Sequence, residues 1–408
     1  MNPTSINKSV LYGFKDEKCC GCGACINVCP VGALSYKSNK HYFTIPDIDA
    51  SKCINCGKCV NACPYTELKF EPTAIEVYAV ENKNAEILKN SSSGGVFAEL
   101  ALCVLTGNGV VYGCTMDADF KVFHTKVENK EHLQRIMKSK YVQSHTGFCY
   151  REIKKDLLEG KKVLFSGTPC MVAGLKSFLG KKDFGDKLVT VDVVCHGVPS
   201  QKMFDAYLEQ KNSLLENRIT KYTFRDKVKG RDGMKWYTSY ETADGKYLRN
   251  WPEDSYNYYY MMGLTHRDSC YDCPFASPHR YSDITLCDFW EWEKENLPFS
   301  YKDSVSGVVI NTDIGESLFE EIRDKFILAE SNFESLSCNN SALLRPMRKP
   351  AEREAIMGIW ESEGYAGMEK NFSNNYKKQI FKGRLVRILP YWFVYYFHNI
   401  LTKLKIKK

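Results

Sequence analysis

A doubled cysteine motif near the N-terminus constrains this chain more than any other feature of its sequence. The motif reads C-x2-C-x2-C-x3-C-P, and its second copy begins 34 residues after the first. The copies comprise Cys19, Cys22, Cys25 and Cys29, followed by Pro30, and Cys53, Cys56, Cys59 and Cys63, followed by Pro64. Three thiolates on one tight loop can bind three irons of a cubane, whereas the fourth, past the turn, reaches the other cubane. The pattern therefore predicts a bacterial-type ferredoxin module with two 4Fe-4S clusters.

The spacing also predicts which thiolates share a cluster. We assign Cys19, Cys22, Cys25 and Cys63 to the first cluster, and Cys53, Cys56, Cys59 and Cys29 to the second. Cys20 is out of register and is interpreted as a spare thiol. A pair of zinc knuckles is the alternative, but zinc sites use four ligands and normally lack the third cysteine and the C-P ending. Two cubanes in one module form a path for electrons, which implies a redox site elsewhere in the chain.

Length, charge and the lack of export features restrict the remaining possibilities. A chain of 408 residues exceeds what one hydrophobic core usually organises, so we expect two or three domains. The N-terminal residues lack a signal-peptide pattern and no long apolar run occurs, so we expect the chain to stay in the reducing cytoplasm. Because disulfides are rare there, the 18 cysteines indicate metal ligation or thiol chemistry. The net charge of +7 belongs to residues 377–408, which hold nine Lys or Arg and no Asp or Glu. Nothing in the remaining chain therefore indicates nucleic acid binding.

Behind the ferredoxin motif the sequence alternates between strand-like and helical stretches. The runs GVVYG, KVLFSG, KLVTVDVV and GVVIN predict buried strands separated by amphipathic helices. We therefore predict an α+β ferredoxin module followed by an α/β domain with a mixed, partly parallel sheet. The predicted boundaries are 1–72 for the ferredoxin domain, 73–345 for the larger domain and 346–408 for a helical, basic C-terminal tail.

A serine- and glycine-rich stretch, Ser91 to Gly95, directly precedes the helical run VFAELALCVL. Hydroxyls and free backbone N–H groups at a helix N-terminus form a site for an anionic group such as a cofactor pyrophosphate. Ordinary N-capping of the helix by a serine explains the same residues equally well.

Four further cysteines form a candidate third site. The stretches KVLFSGTPC and KLVTVDVVCHG each place a cysteine, Cys170 or Cys195, just after a predicted strand, and parallel strands would bring both to one edge of the sheet. Cys270 and Cys273 follow later at C-x2-C spacing. Together the four predict another iron-sulfur site. The alternatives are hydrophobic packing for the first pair, and a zinc half-site or redox dithiol for the second. Four cysteines without a pattern are interpreted as packing residues: Cys103, Cys114, Cys149 and Cys338.

Seven motifs occur in an order that resembles a known family. They are SSSGG, SKYVQS (139–144), FSGTPC, VCHGVPS, FRDK (224–227), SCYDC and RYSDITLCDFW. Between about residues 80 and 312 the chain resembles the beta subunit of coenzyme F-420 hydrogenase/dehydrogenase and its bacterial relatives. The fused ferredoxin is similar to the arrangement in electron-input subunits of F-420-dependent dehydrogenases. The resemblance implies FAD as a cofactor and favours a third 4Fe-4S cluster on Cys170, Cys195, Cys270 and Cys273.

The resemblance also implies a set of flavin-site residues, which are Ser92, Ser93, Gly94, Gly95, Lys140, Gln143 and Thr168. Lys140 would offset a phosphate charge, with a solvated surface lysine as the alternative, and Thr168 would donate a hydrogen bond to the ring or the ribityl chain. Two positions depart from the family pattern. Met171 stands where Gln is common, which weakens the expectation of a cofactor contact there. Cys287 stands where Gly is usual and adds a fifth candidate thiolate.

These features predict a flavin-dependent oxidoreductase. Single electrons would pass between the clusters and a soluble ferredoxin or another redox protein, while a two-electron carrier, deazaflavin-like or unknown, or a small substrate reacts at FAD. His196 is a weak candidate for proton transfer. The alternatives are a non-catalytic electron-relay subunit of a larger redox complex and a reductase in surface polysaccharide biosynthesis.

The C-terminal segment surrounds a short, mostly apolar stretch, residues 389–401, with Lys and Arg. This stretch is too short to span a bilayer. Aromatic residues flanked by cations suit a helix at an anionic membrane surface, and a helix docked on the larger domain or on a partner subunit is the alternative. We therefore predict a cytoplasmic protein for which peripheral contact with the inner face of the membrane is one option.

Overall fold

The computed structural model describes residues 16–66, 76–227, 236–290, 297–299 and 304–390, together with positions 393 and 396. The predicted boundary at residues 72 and 73 lies outside the described residues, as does most of the apolar stretch 389–401.

The N-terminal module consists of two short helices and one hairpin. In chain order its elements are α1 (Ala24–Val28), β1 (Leu34–Ser38), β2 (Thr44–Ile48) and α2 (Lys58–Asn61). Strands β1 and β2 pair antiparallel. Gly23 precedes α1 with a φ of 77°, and Gly57 precedes α2 with a φ of 73°. Only glycine adopts this left-handed conformation at little cost, so both cysteine motifs use the same turn into a helix.

The larger domain is built on an eight-stranded sheet. In spatial order its strands are β13 (Phe326–Glu330), β3 (Glu76–Asn82), β12 (Ser306–Ile310), β11 (Ile284–Asp288), β7 (Leu188–Val193), β6 (Val163–Gly167), β4 (Val110–Met116) and β5 (Val122–Val127). Strands β11, β7, β6 and β4 run parallel to one another, and the outer pairs are antiparallel. The prediction of a mixed, partly parallel sheet is confirmed.

Helices pack on both faces of this sheet. They are α3 (Ala85–Asn90), α4 (Val96–Thr106), α5 (Cys149–Leu158), α6 (Pro169–Leu179), α9 (Asp313–Glu320) and α10 (Phe333–Cys338). Leu164 of β6 belongs to the core that α4 completes, whereas its neighbours Val163 and Phe165 belong to the core of α5 and α6. Alternate residues of a strand point to opposite faces, so α4 lies on one side of the sheet and α5 and α6 lie on the other.

A smaller sheet and three helices form a second, aromatic core. These elements are α7 (Gln201–Asn212), β8 (Lys221–Lys227), β9 (Trp236–Thr242), β10 (Gly245–Arg249), α8 (Ser255–Met261) and α11 (Arg353–Asn375). Aromatic rings dominate this core, and the ring centroids of Tyr222 and Phe224 are 4.8 Å apart. Trp360 and Phe372 of α11 are buried in the same core. The first helix of the predicted tail is therefore part of the folded body.

The last described helix, α12 (Lys377–Ile388), lies against residues 251–253. Arg387 Nε donates to Glu253 Oε1 at 2.8 Å. One face of this helix is therefore docked on the larger domain, as in the docked-helix alternative. Within the described part of the chain, no helix is long and apolar enough to cross a membrane.

Candidate functional site

The first predicted cysteine set surrounds one hollow. Cys19, Cys22, Cys25 and Cys63 line this hollow together with Ile26, Tyr36 and Ile45. Burial, aided by nearby cysteines, raises the pKa of Cys63 to about 11, and burial with Cys19 and Cys63 raises the pKa of Cys25 further. Thiolates crowded in such a hollow need compensating positive charge, which the irons of a cubane supply. These residues therefore fit a 4Fe-4S cluster whose fourth ligand comes from the second motif.

The second predicted set lies nearer the surface. Cys29, Cys53 and Cys59 are partly exposed, and Cys56 is exposed. The Asn55 N–H donates to Cys53 Sγ at 3.4 Å, and the equivalent backbone group of the first motif makes the same bond at 3.3 Å. Such N–H···S bonds favour the thiolate form. The assignment of individual cysteines to the two clusters stays a prediction.

The third predicted set draws its members from three distant segments. Cys170 lies in the first turn of α6, Cys195 follows β7, and Cys270 and Cys273 lie in and just after the 3-10 helix Asp268–Asp272. Burial raises the pKa of Cys270 well above its usual range, and Cys195, Cys273 and Cys170 add to the increase. Burial and Cys170 raise the pKa of both Cys195 and Cys273 to about 12. The fold therefore brings these four thiols together at the carboxyl edge of the parallel strands.

A disulfide, a single zinc ion and a cubane cluster need different arrangements of these thiols. All 18 cysteines are free, so none of them forms a disulfide. Among the described residues, no three His, Cys, Asp or Glu side chains surround a point that could hold one metal ion. A zinc ion needs its ligands around one point, whereas each thiolate of a cubane binds a different iron. The third cluster and its zinc alternatives both stay predictions.

Cys20 lies between the first and third sets. Its thiol neighbours those of Cys22 and Cys170, and Cys22 together with burial raises its pKa well above the usual range. It also lines the hollow of the first set. The interpretation as a spare thiol missed this position, because spacing within a loop contains no information about the domain packed against it.

The remaining cysteines do not join these groups. Cys287 contacts the Gly307 carbonyl at 3.7 Å, and its charged neighbours are Asp288, Arg280 and Asp192. Cys149 is buried in the core of α5 and α6, as predicted. The packing interpretation of Cys338 is wrong, because its side chain is exposed. Cys103 and Cys114 are half-buried.

Side chains of the larger domain hold the first cysteine loop by its backbone carbonyls. Gln143 Nε2 donates to Cys20 O at 3.2 Å, and Thr146 Oγ1 donates to Cys22 O at 3.1 Å. Arg267 Nε and Ser269 Oγ both donate to Cys19 O. These bonds join residues more than a hundred positions apart. They place the first cluster hollow directly against the third cysteine set.

The predicted flavin residues have hydrogen-bond partners within the protein. Ser92 Oγ accepts from Ser139 N at 2.8 Å, so the SSSGG and SKYVQS segments do meet. Gly95 precedes α4 without a side-chain cap, so serine N-capping does not explain the SSSGG segment. The Gly94 N–H donates to Ser306 Oγ at 2.7 Å.

Lys140, Gln143 and Thr168 have other partners in the structure. Lys140 Nζ donates to the carbonyls of Met137 at 2.6 Å and Cys114 at 2.9 Å, and burial lowers its pKa to about 8. It is therefore not the solvated surface lysine of the alternative interpretation. Gln143 holds the ferredoxin loop, and Thr168 Oγ1 lies 3.2 Å from Cys170 Sγ. The flavin roles of all three stay predictions.

Two family models match separate parts of the chain. Residues 160–335 match the family model for the C terminus of the coenzyme F-420 hydrogenase/dehydrogenase beta subunit. Residues 18–66 match that of the 4Fe-4S dicluster domain. The larger domain is therefore similar over residues 160–335 to the C terminus of that beta subunit. The chain is an iron-sulfur redox protein in which a dicluster ferredoxin precedes a domain related to the beta subunit.

Individual relatives match only in part. An uncharacterized polyferredoxin-like protein of Methanocaldococcus jannaschii is 52% identical over 31 residues, which is 8% of this chain and 19% of that protein. The chain therefore covers less than a fifth of that relative. A chain of the F-420-reducing NiFe hydrogenase complex from Methanosarcina barkeri is 15% identical, with a TM-score of 0.44 over 74% of this chain and 94% of that chain.

Within the larger domain, a cationic group lies beside the SSSGG segment. Lys227 Nζ donates to the carbonyls of Leu88 at 2.9 Å and Ser93 at 2.7 Å. Burial and the neighbouring Arg225 lower the pKa of Lys227 to about 7. An anion bound here would relieve that repulsion. Sequence reasoning missed these residues, although the FRDK motif contains both.

Asp288 and His196 border this group. Arg225 and Asp288 form a two-pronged ion pair with distances of 2.7 and 3.1 Å. Burial lowers the pKa of His196, and Asp288 is its charged neighbour. The imidazole is therefore neutral near pH 7 and able to accept a proton, and its role as a proton-transfer group stays a prediction.

Sequence reasoning also missed Arg267. Its side chain is 2% exposed, and its bonds go to the neutral oxygens of Cys19, Thr44 and Gln143. Its Nη2 has no hydrogen-bond partner, and no described carboxylate forms an ion pair with it. A buried cation is costly unless an anion compensates it. The charge of Arg267 acts on the neighbouring Cys170, so cluster thiolates are anionic groups that could compensate it.

Proposed function

We propose that this chain is an iron-sulfur flavoprotein oxidoreductase in which the ferredoxin module exchanges electrons with FAD through a third 4Fe-4S cluster. The observation that carries the proposal is the meeting of Cys20 with both Cys22 and Cys170. It leaves one thiol between two predicted cluster sites. A soluble ferredoxin or another redox protein exchanges electrons at the exposed second set, and a two-electron carrier or small substrate exchanges them at FAD.

The order of the clusters along the path follows from exposure. Cys56 of the second set is exposed, whereas Cys22 of the first set is buried and the cysteines of the third set are half-buried. An external redox protein can approach the second set, and electrons then move between the clusters one at a time in either direction. Clusters transfer single electrons, and a flavin joins them to two-electron chemistry.

Charge compensation supports clusters on both sides of the interface. Arg267 is in contact with the first cysteine loop through Cys19 O, and its charge lowers the pKa of Cys170, against the opposing effects of Cys20 and burial. A single buried guanidinium therefore lies near both predicted sites. Because a cluster gains negative charge on reduction, this cation favours the reduced state of each.

The FAD site is proposed between the SSSGG segment and the FRDK motif. The SSSGG segment precedes α4, whose N-terminus favours negative charge. Lys227 is bonded to this segment through Ser93 O, and Arg225 lies beside it. The pyrophosphate would be bound by the helix terminus and by Lys227. Coenzyme F-420 is one two-electron carrier to test, on the basis of the family's name.

The test is cofactor analysis of protein purified without oxygen. We expect about twelve irons per chain, because three cubanes hold four each, and one FAD released on denaturation. Cys273→Ala should lower iron by up to four atoms per chain and slow the reduction of FAD by reduced ferredoxin. Cys338→Ala is the matched control, because Cys338 is exposed and belongs to none of the three sets.

The outcomes distinguish the alternatives. Full iron without flavin would support a non-catalytic relay subunit. Iron that is unchanged in Cys273→Ala would return the third set to the packing interpretation, even if FAD is present. Stoichiometric zinc with no reducible signal would refute the iron-sulfur assignment.

A further inference from the structure

One face of α12 exposes apolar side chains to solvent. Phe381, Leu385 and Ile388 are 69%, 44% and 70% exposed. Their spacing of four and then three residues places them on one side of a helix. Large apolar side chains that form a continuous exposed stripe usually mark an interaction site.

The opposite face fixes the helix on the larger domain. A Cβ at Gly383 would lie 2.7 Å from the Glu253 backbone nitrogen, so the two backbones are in close contact there. Arg387 donates to Glu253 Oε1 at 2.8 Å. The helix is therefore held in a defined orientation, and its apolar stripe points away from the body.

Cations flank the stripe on both sides. At 100° per residue, Lys377 and Arg384 lie along one border of the stripe and Lys378 and Lys382 along the other. All four are exposed, and none of them forms an ion pair in the described part of the chain. Residues 377–388 contain no Asp or Glu.

We propose that this face of α12 binds the surface of an anionic lipid membrane. An apolar centre bordered by cations matches the acyl chains and anionic headgroups of a lipid leaflet. A helix of 12 residues is about 18 Å long, so it lies in the membrane plane. A second copy of this chain is disfavoured because the same cations would face each other. Nucleic acid is disfavoured because the stripe would bury apolar groups against phosphates.

The inference does not depend on the proposed electron path. Binding at α12 would place the enzyme at a membrane surface whatever its substrate. It also unites the two interpretations of the tail, because one face of the helix docks on the protein while the other is free to meet lipid.

The test is vesicle cosedimentation of the full-length protein with its cofactors bound. We expect binding to vesicles of phosphatidylcholine mixed with phosphatidylserine, and little binding to phosphatidylcholine alone. The variant Phe381→Ser/Ile388→Ser should bind at least tenfold more weakly, because both side chains lose apolar contact with the bilayer. Lys378→Gln/Lys382→Gln should bind roughly thirtyfold more weakly and lose most of its salt dependence.

Leu214→Ser is the matched control, because Leu214 is 68% exposed on a different part of the surface and should leave binding unchanged. Unchanged iron content and circular dichroism in each variant show that it is folded. Equal binding of the Phe381→Ser/Ile388→Ser variant, or equal binding to neutral vesicles, would overturn the proposal. Concentration-dependent dimerisation that the same variant abolishes would overturn it in favour of self-association.

Discussion

A methyl group at Gly174 should displace a predicted cluster ligand. Gly174 lies within α6 and is buried. A Cβ at this position would lie 2.9 Å from both Cβ and Sγ of Cys22, and 3.3 Å from the Tyr150 hydroxyl. Ordinary contact begins at about 3.4 Å, so Cys22 would have to move by roughly half an ångström. Cys22 is a predicted cluster ligand and its carbonyl accepts a hydrogen bond from Thr146, and iron ligation together with this bond would resist such a movement.

The expected energy is the difference between two opposing effects. Replacing glycine with alanine inside a helix stabilises it by about 1 kcal/mol. Overpacking a rigid contact costs about 1–3 kcal/mol. Gly174→Ala should therefore be neutral or destabilising by up to about 2 kcal/mol, and the strain should fall on the first cluster.

Gly358→Ala is the matched control. Gly358 lies within α11, and a Cβ there meets no atom within 4 Å. This variant should gain the helix contribution alone and melt about 2 °C higher than the parent protein. The assay is thermal unfolding combined with iron analysis and EPR of the reduced protein. Full iron, an unchanged EPR spectrum and a rise in melting temperature equal to that of Gly358→Ala would refute the reasoning.

Three further predictions follow from the site. Arg267→Leu should lower the midpoint potentials of the first and third clusters, and Arg267→Lys should restore much of that shift. Gln143→Leu should change the potentials little. The measurement is redox titration followed by EPR, and an equal shift in Gln143→Leu would contradict the prediction. FAD affinity should fall by up to tenfold per pH unit above about pH 7. The reason is that Lys227, whose pKa of about 7 lies below the ordinary 10.5, loses the charge that attracts the pyrophosphate. Lys227→Met should abolish this pH dependence. A pH dependence retained in that variant would exclude Lys227 as its source. Asp288→Asn removes the carboxylate that pairs with the buried guanidinium of Arg225. It should lower the free energy of unfolding, measured with denaturant, by about 3–5 kcal/mol. A change below about 1 kcal/mol would mean that the ion pair is solvated.

Local sequence was sufficient for features whose partners lie in the same loop or strand. The ferredoxin pattern was readable because the ligands of a cubane are separated by two or three residues. The strands β4, β6, β7 and β12 were readable from short apolar runs bounded by turns. The place of Cys170 and Cys195 at one sheet edge followed once β6 and β7 were predicted to be parallel.

The interface between the two modules was not readable from the sequence. The flavin contact of Gln143 stays a prediction, but nothing local indicates that its amide also donates to Cys20 O across 123 residues of sequence. Arg267 was not singled out, because nothing in the sequence around it shows that its side chain reaches the loop of Cys19. Lys140 was considered as a phosphate ligand or a surface residue, whereas backbone carbonyls surround it.

The sequence by itself determined the dicluster ferredoxin, the mixed sheet and the basic character of the C-terminal segment, because spacing, periodicity and charge are properties of neighbouring residues. Only the tertiary structure decided that Cys20 touches Cys170, that Arg267 is buried without a carboxylate and that the apolar stripe of α12 points outward. Each of these depends on which surfaces pack together. Packing is set by contacts between residues that are distant in sequence, and no local pattern records them.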